Sequence, residues 1–248
     1  MVQNFSIMKR VFALLLASVL CASTFAQVTK KSIELSEFRS IYNNSNYTVY
    51  IKQTNKQDVS VEALTEIYEL TNIFVENGIL MINVERKPEN ASKSIWAKID
   101  DIKVNPTMKL YVSLKTINDL QVNGGGKIIA ENSLAANNLN LGMNGSGSMD
   151  LDVKGDFIRA EVSGSGKIAI KGYATNFAGQ MAGSGSINAF NCPVEKATIR
   201  MTGSGLAELN VTDTIEATVT GSGSVKHKGN TKQATRKVYG SGTVDRAY

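Results

Sequence analysis

The triplet Gly-x-Gly recurs seven times in the second half of this chain, starting at Gly124, Gly145, Gly164, Gly183, Gly203, Gly221 and Gly240. The intervals are 21, 19, 19, 20, 18 and 19 residues. Fourteen of the 21 glycines supply the outer positions of these triplets. The central residue is Ser in six of them (Ser146, Ser165, Ser184, Ser204, Ser222 and Ser241) and Gly125 in the first. A period near 19 residues is the signature of stacked repeats, each too small to bury its own apolar face. Glycine is not abundant at 21 in 248 residues, close to the usual share. Its placement carries the information.

Alignment on the first Gly exposes apolar columns. Two residues upstream lie Val122, Met143, Val162, Met181, Met201, Val219 and Val238. Four residues downstream lie Ile128, Met149, Ile168, Ile187, Ala207, Val225 and Val244. The next alternate positions are mostly apolar as well, as at Leu120, Leu141 and Ile199 or Leu151, Ile170 and Leu209. Alternation with period two marks strands that bury one face. Each unit therefore reads as strand, Gly-Ser-Gly bend, strand and a looser second turn. Glycine suits the bend because it tolerates positive φ and close backbone approach, while a turn Ser can bond nearby backbone.

Two topologies fit this pattern: one coil of a parallel β-solenoid per unit, or an antiparallel meander with a hairpin at each triplet. The like-with-like columns favour the solenoid, because stacked coils superpose equivalent positions. A meander would pair the upstream column with the downstream one and leave a long sheet to be closed or covered. His227, Arg236 and Arg246 replace apolar residues in the last two units, which reads as a polar cap where the stack meets water.

The N-terminus reads as an address. Lys9 and Arg10 precede an apolar run from Val11 to Leu20, followed by small residues and Ala26. This describes a secretory signal peptide over 1–26, with Met8 as an alternative start. The run is too short to span a bilayer. Cys21 raises a lipoprotein alternative, although Leu20 stands where a lipobox wants a small residue. Cleavage leaves 25 basic against 22 acidic residues and one cysteine, Cys192. That modest scattered charge gives no nucleic-acid stripe, and a lone Cys forms no internal disulfide.

Residues 27–119 lack the triplet but remain strand-like, as at Thr48–Lys52, Ile79–Val84 and Met108–Val112. Asn43-Asn44-Ser45-Asn46 and Glu76-Asn77-Gly78 are turn clusters. A short helical turn fits near 62–70, and a polar loop over 87–93. Pro88 and Pro106 bracket a segment with the single tryptophan, Trp96. We expect this N-terminal β region to join or cover the sheets of the repeat region, 120–248. A separate domain is the alternative.

A signal peptide, a strand-rich lead-in and units such as Val162-Ser163-Gly164-Ser165-Gly166-Lys167-Ile168 resemble the auto-transporter adhesin, head GIN domain family of Bacteroidetes-type bacteria. The resemblance runs over about residues 36–246. It implies an all-β fold, a right-handed parallel β-helix of about seven coils related in shape to pectin-lyase folds. It also implies an exported protein with a suggested role in adhesion. The family carries no catalytic residues to transfer.

Polysaccharide lyases and hydrolases use β-helices, so enzyme chemistry needs a test. It would require paired carboxylates, or acidic calcium ligands with a basic residue, on one outer face. Asp150 and Asp152 share a strand face, with Glu131 expected one coil below Asp152 and Lys171 one coil above. This acidic patch is a weak cation candidate, and a solvated charged face explains it as well. His227 has no partner legible in sequence, and no nucleophile elbow accompanies it. Cys192 has no nearby His. The Gly-x-Gly triplets precede strands, not helices, so they are not dinucleotide fingerprints. No cofactor signature appears.

Three functional readings follow. The first is a non-enzymatic exported protein whose elongated surface binds a glycan or an envelope protein, as an adhesin would. The second is a carbohydrate-binding or polysaccharide-degrading protein on the same fold, for which Tyr173, Phe190 and Tyr239 are the outward aromatics to inspect. The third is an envelope scaffold without a ligand, self-associating as a homo-oligomer through the open end.

Overall fold

The period resolves into parallel coils. The computed structural model describes residues 28–85 and 107–247. The signal segment with Cys21, the 87–93 loop, Pro88, Trp96 and Pro106 lie outside the described residues.

The strands in chain order are β1 (Val28–Ser32), β2 (Ser40–Asn44), β3 (Thr48–Gln53), β4 (Asp58–Leu64), β5 (Thr71–Glu76), β6 (Ile79–Val84) and β7 (Met108–Leu114). Then come β8 (Asp119–Gly124), β9 (Lys127–Ala130), β10 (Leu134–Gly145), β11 (Ser148–Gly164), β12 (Lys167–Gly183), β13 (Ser186–Gly203) and β14 (Leu206–Gly221). The last are β15 (Ser224–Lys228), β16 (Gln233–Tyr239) and β17 (Thr243–Arg246). One short helix, α1 (Thr65–Tyr68), lies between β4 and β5.

Successive repeats pair in parallel and in register. Gly124, Gly145, Gly164, Gly183, Gly203 and Gly221 stack one upon another. This excludes the meander, in which a Gly would not meet its equivalent. The two glycines of each triplet have different tasks. Gly183 adopts φ +113°, a region that side chains rarely enter. Gly185 has no such φ and is required by space alone: a Cβ there would be 2.6 Å from both Gly166 O and Val162 Cγ1. The central residue contributes its backbone: Ser184 N–H donates to Gly164 O at 2.9 Å, as Ser165 N–H does to Gly145 O. Among the described residues, a side-chain bond between central serines occurs at Ser222 and Ser241, 3.0 Å apart.

The inward columns fill the tube. Val122, Met143, Val162, Met181, Met201 and Val219 are at most 5% exposed, as are Ile128, Met149, Ile168, Ile187 and Ala207. Size is balanced between coils. At Gly179 a Cβ would be 2.4 Å from Ile199 Cδ1 and 3.0 Å from Phe177 Cε1, so larger neighbours already occupy the space that the missing side chain leaves.

The N-terminal strands extend this stack in a different order from the chain. β2 pairs with β8 on one side and β6 on the other. Likewise β3 lies between β9 and β7. The β2–β3 coil is thus placed between β6–β7 and β8–β9, and residues 115–118 climb past it, where Asn118 N–H donates to Arg39 O at 2.8 Å. Its corner uses Ser45-Asn46-Tyr47 where other coils have Gly-x-Gly, by register with Val122 and Lys127. Beyond β6 and β7 the pairing becomes antiparallel: β5 on β6, β4 on β7 and β1 on β4. The β5–β6 hairpin turns at Asn77 (φ +51°) and Gly78 (φ +75°), the residue pair that a type I′ turn prefers.

At the other end, β16 pairs with β14 and β17 with β15. Every residue of β16 is exposed, and Arg236, Lys237, Asp245 and Arg246 put charge on this open edge, which discourages strand addition. His227 lies beneath it, 1% exposed. Arg236 can only donate, so His227 Nε2 accepts from its Nη2 at 3.2 Å. The proton is then on Nδ1, which donates to Thr231 Oγ1 at 3.3 Å, and Thr231 donates onward to Val211 O at 2.9 Å.

The folded state therefore holds His227 neutral. Burial, then Arg236 and Arg246, lower its pKa, while Asp245 pulls upward. Between that lowered value and about 6.5, the unfolded chain binds a proton that the folded chain refuses. Stability is expected in full above about pH 6.5 and to fall as the pH drops through that window. Unfolding midpoints measured between about pH 7.5 and 5 check this. His227→Leu, which copies the underlying Leu209, should flatten the slope, and an equal slope in both proteins would remove His227 as its cause.

Candidate binding surfaces

The coils project alternate side chains outward in straight rows, and the chemistry-bearing residues are dispersed along them. Asp150 and Asp152 are both on the outer face of β11. Asp150 is beside Ile129 and Ala169, and Asp152 beside Lys171. The pairing of β9 with β11 ends at Asp150. Glu131 follows β9, with its N–H donating to Ile51 O at 2.8 Å. No ion pair among the described residues includes Glu131, Asp150, Asp152 or Lys171. Nor do the described residues bring three His, Cys, Asp or Glu side chains together in a metal-binding group.

The single histidine and the described cysteine are interior. His227 has the cap bonds given above. Cys192 is buried, and burial first, then the nearby Asp152 charge, push its thiol up to about 11, which makes it inert at neutral pH. Of the outward aromatics, Tyr173 and Tyr239 are 55% and 62% exposed and sit apart. Phe190 lies under the Lys228 ammonium, 4.9 Å from the ring centroid, a cation–π contact.

Two outer features escape a linear reading because they join residues distant in sequence. The first is an asparagine ladder on the row just before the corner. Asn44 Nδ2 donates to Asn83 Oδ1 at 2.8 Å, Asn123 to Asn44 at 2.7 Å, and Asn144 to Asn123 at 2.9 Å. Each inner amide donates to one neighbour and accepts from the other, an arrangement that in-register stacking favours.

The second is an aromatic stack. Tyr50 and Tyr111 face each other across β3 and β7, with centroids 5.2 Å apart and planes at 15°. Their row continues through Ile129 on one side and through Ser60 and Ser32 on the other. A shallow groove of about 530 Å³ opens on the serine side, lined by Lys30, Lys31, Ser32, Ser60, Glu62 and Tyr111. Lys30 Nζ and Glu62 Oε2 are 3.2 Å apart along one wall, and Ser32 Oγ donates to Asp58 Oδ1 at 3.3 Å along the other. The sequence signal for this feature was the β-rich run around each tyrosine, but nothing in it placed the two in contact.

No helix among the described residues is long and apolar enough to cross a membrane. No curated protein matches the chain. Solved structures do. A putative adhesin of Bacteroides fragilis superposes with a TM-score of 0.79 at 22% identity, over 90% of this chain and 98% of that one. A putative lipid binding protein of Parabacteroides distasonis gives 0.70 at 22%, over 90% and 97%. A putative adhesin of the same species gives 0.70 at 23%, over 90% and 98%. At such identities the likeness is one of fold. The family model described as "Putative auto-transporter adhesin, head GIN domain" matches residues 37–231, a span that takes in the N-terminal coils and the first six Gly-x-Gly corners. The chain belongs to that adhesin family.

Proposed function

We propose that this protein is exported and acts without catalysis, as a rigid rod whose outer rows bind a glycan of a cell or envelope surface. The observation that carries the reading is the register of the coils. Superposed strands turn single side chains into straight outward ladders, the asparagine ladder and the tyrosine stack among them. Polar amides and aromatic rings on a preformed scaffold are the groups that recognise sugars at low entropic cost. The buried, hydrogen-bonded His227 and the inert Cys192 are in structural positions, which supports a non-catalytic role. Family membership supports the adhesive one.

The purified protein on a glycan array tests this reading. Saturable binding of at least one glycan is expected, with no new reducing ends when that glycan is incubated in solution. A product that disappears in Asp150→Asn/Asp152→Asn protein would overturn the non-catalytic reading. An array without saturable binding would leave the rod as an envelope scaffold.

A further inference from the structure

We propose that the slot below Tyr111 holds one neutral pyranose ring of the bound glycan. This rests on the glycan-binding reading above and assigns it a place. One face of Tyr111 is covered by Tyr50 at 5.2 Å. The other looks along its row to Ser60, its direct cross-strand partner, and then to Ser32. Two successive small residues leave the ring face open across β4 and β1. At about 4.8 Å per strand that is a run of roughly 10 Å. A pyranose stacked at van der Waals distance, about 3.5–4 Å, fits within it.

The chemistry of the walls selects the ligand. The apolar C–H face of a pyranose matches the open ring of Tyr111. Its edge hydroxyls meet Glu62 and Lys30 on one side and the Ser32 hydroxyl on the other. Glu62 already neutralises Lys30 at 3.2 Å, and the Lys31 ammonium is turned toward the Tyr68 ring, 5.8 Å from its centroid. Both lysines that line the slot, Lys30 and Lys31, thus have a partner, so it favours a neutral sugar over a uronate or phosphate. The outward aromatics of the repeat region stand apart or, like Phe190, are covered by Lys228. Tyr111 instead combines an open face with flanking hydrogen-bonding groups.

Saturation-transfer NMR of the whole protein with the methyl glycosides of glucose, galactose and mannose, with lactose and cellobiose, and with any array-positive glycan tests the assignment. Strongest transfer is expected to ring C–H protons of one sugar face. Tyr111→Ala should weaken binding by about tenfold or more, the loss of one good contact, while Tyr111→Phe, which keeps the ring, should bind nearly as wild type. Ser60→Tyr places a third ring on the stack and fills the slot without touching the core. It should abolish binding with the far-UV spectrum unchanged. Glycan affinity within twofold of wild type in both Tyr111→Ala and Ser60→Tyr would overturn the slot while leaving glycan binding intact. Absence of binding to every sugar in this set would overturn both.

Discussion

Gly183→Ala is expected to destabilise the protein by about 3–5 kcal/mol, the sum of a strained backbone and an overpacked corner. Two effects meet at this residue. Its φ of +113° is a region that costs a non-glycine residue about 1–3 kcal/mol. In addition, a Cβ would lie 2.6 Å from Gly164 O and 3.2 Å from Gly164 N. Gly164 is itself locked in the ladder, where its carbonyl accepts from Ser184 N–H at 2.9 Å, so it cannot yield as a flexible side chain would. Gly124 separates the two effects. Its φ is +129°, yet a Cβ there meets nothing within 4 Å. Gly124→Ala should therefore carry only the strain, about 1–3 kcal/mol. Urea unfolding of the two variants measures the difference. Equal losses would mean that close coil packing is not what keeps glycine at the corner.

This difference explains which parts of the fold a sequence can show. The corner glycines and the inward columns repeat because stacked coils impose the same steric demand every 19 residues or so, and repetition is visible without coordinates. The β2–β3 coil meets the same demand by another route. Ser45-Asn46-Tyr47 turns its corner, and its neighbours in the stack are far away in the chain: Asn44 bonds Asn83 and Asn123, which are 39 and 79 residues distant. A period cannot reveal a coil placed out of order, so the asparagine ladder and the Tyr50–Tyr111 stack were invisible as units. The acidic patch shows the complementary limit. Register placed Asp152 beside Lys171 as the period implied. The first repeat is 21 residues long, not 19, and the pairing of β9 with β11 stops before Glu131. Periodicity locates backbones well, but whether side chains on neighbouring coils converge depends on rotamers and turns that it does not encode.

Asn43→Leu is the second large effect, an expected loss of about 2–5 kcal/mol from buried polar groups left unpaired. Asn43 is fully buried on an inward row, between Ile82 and Val122. Leucine fits that apolar row, so packing is nearly conserved and hydrogen bonding is what changes. The amide Nδ2 donates to Tyr47 O at 2.8 Å. Its Oδ1 accepts from Ser45 N–H at 3.2 Å and from Ser45 Oγ at 2.6 Å, and Ser45 Oγ in turn accepts from Tyr47 N–H at 3.2 Å. One side chain thus satisfies the interior of a corner that elsewhere needs two glycines. Asn44, next along the chain, points outward and makes two ladder bonds at a half-buried site. Water can replace those bonds, so Asn44→Leu should cost about 1 kcal/mol. Denaturant midpoints of the two variants give the comparison. If Asn43→Leu proves no worse than Asn44→Leu, the corner is held by the backbone of its neighbours. If it is worse by the expected margin, a single buried amide is what lets a coil without the Gly-Ser-Gly signature enter the stack.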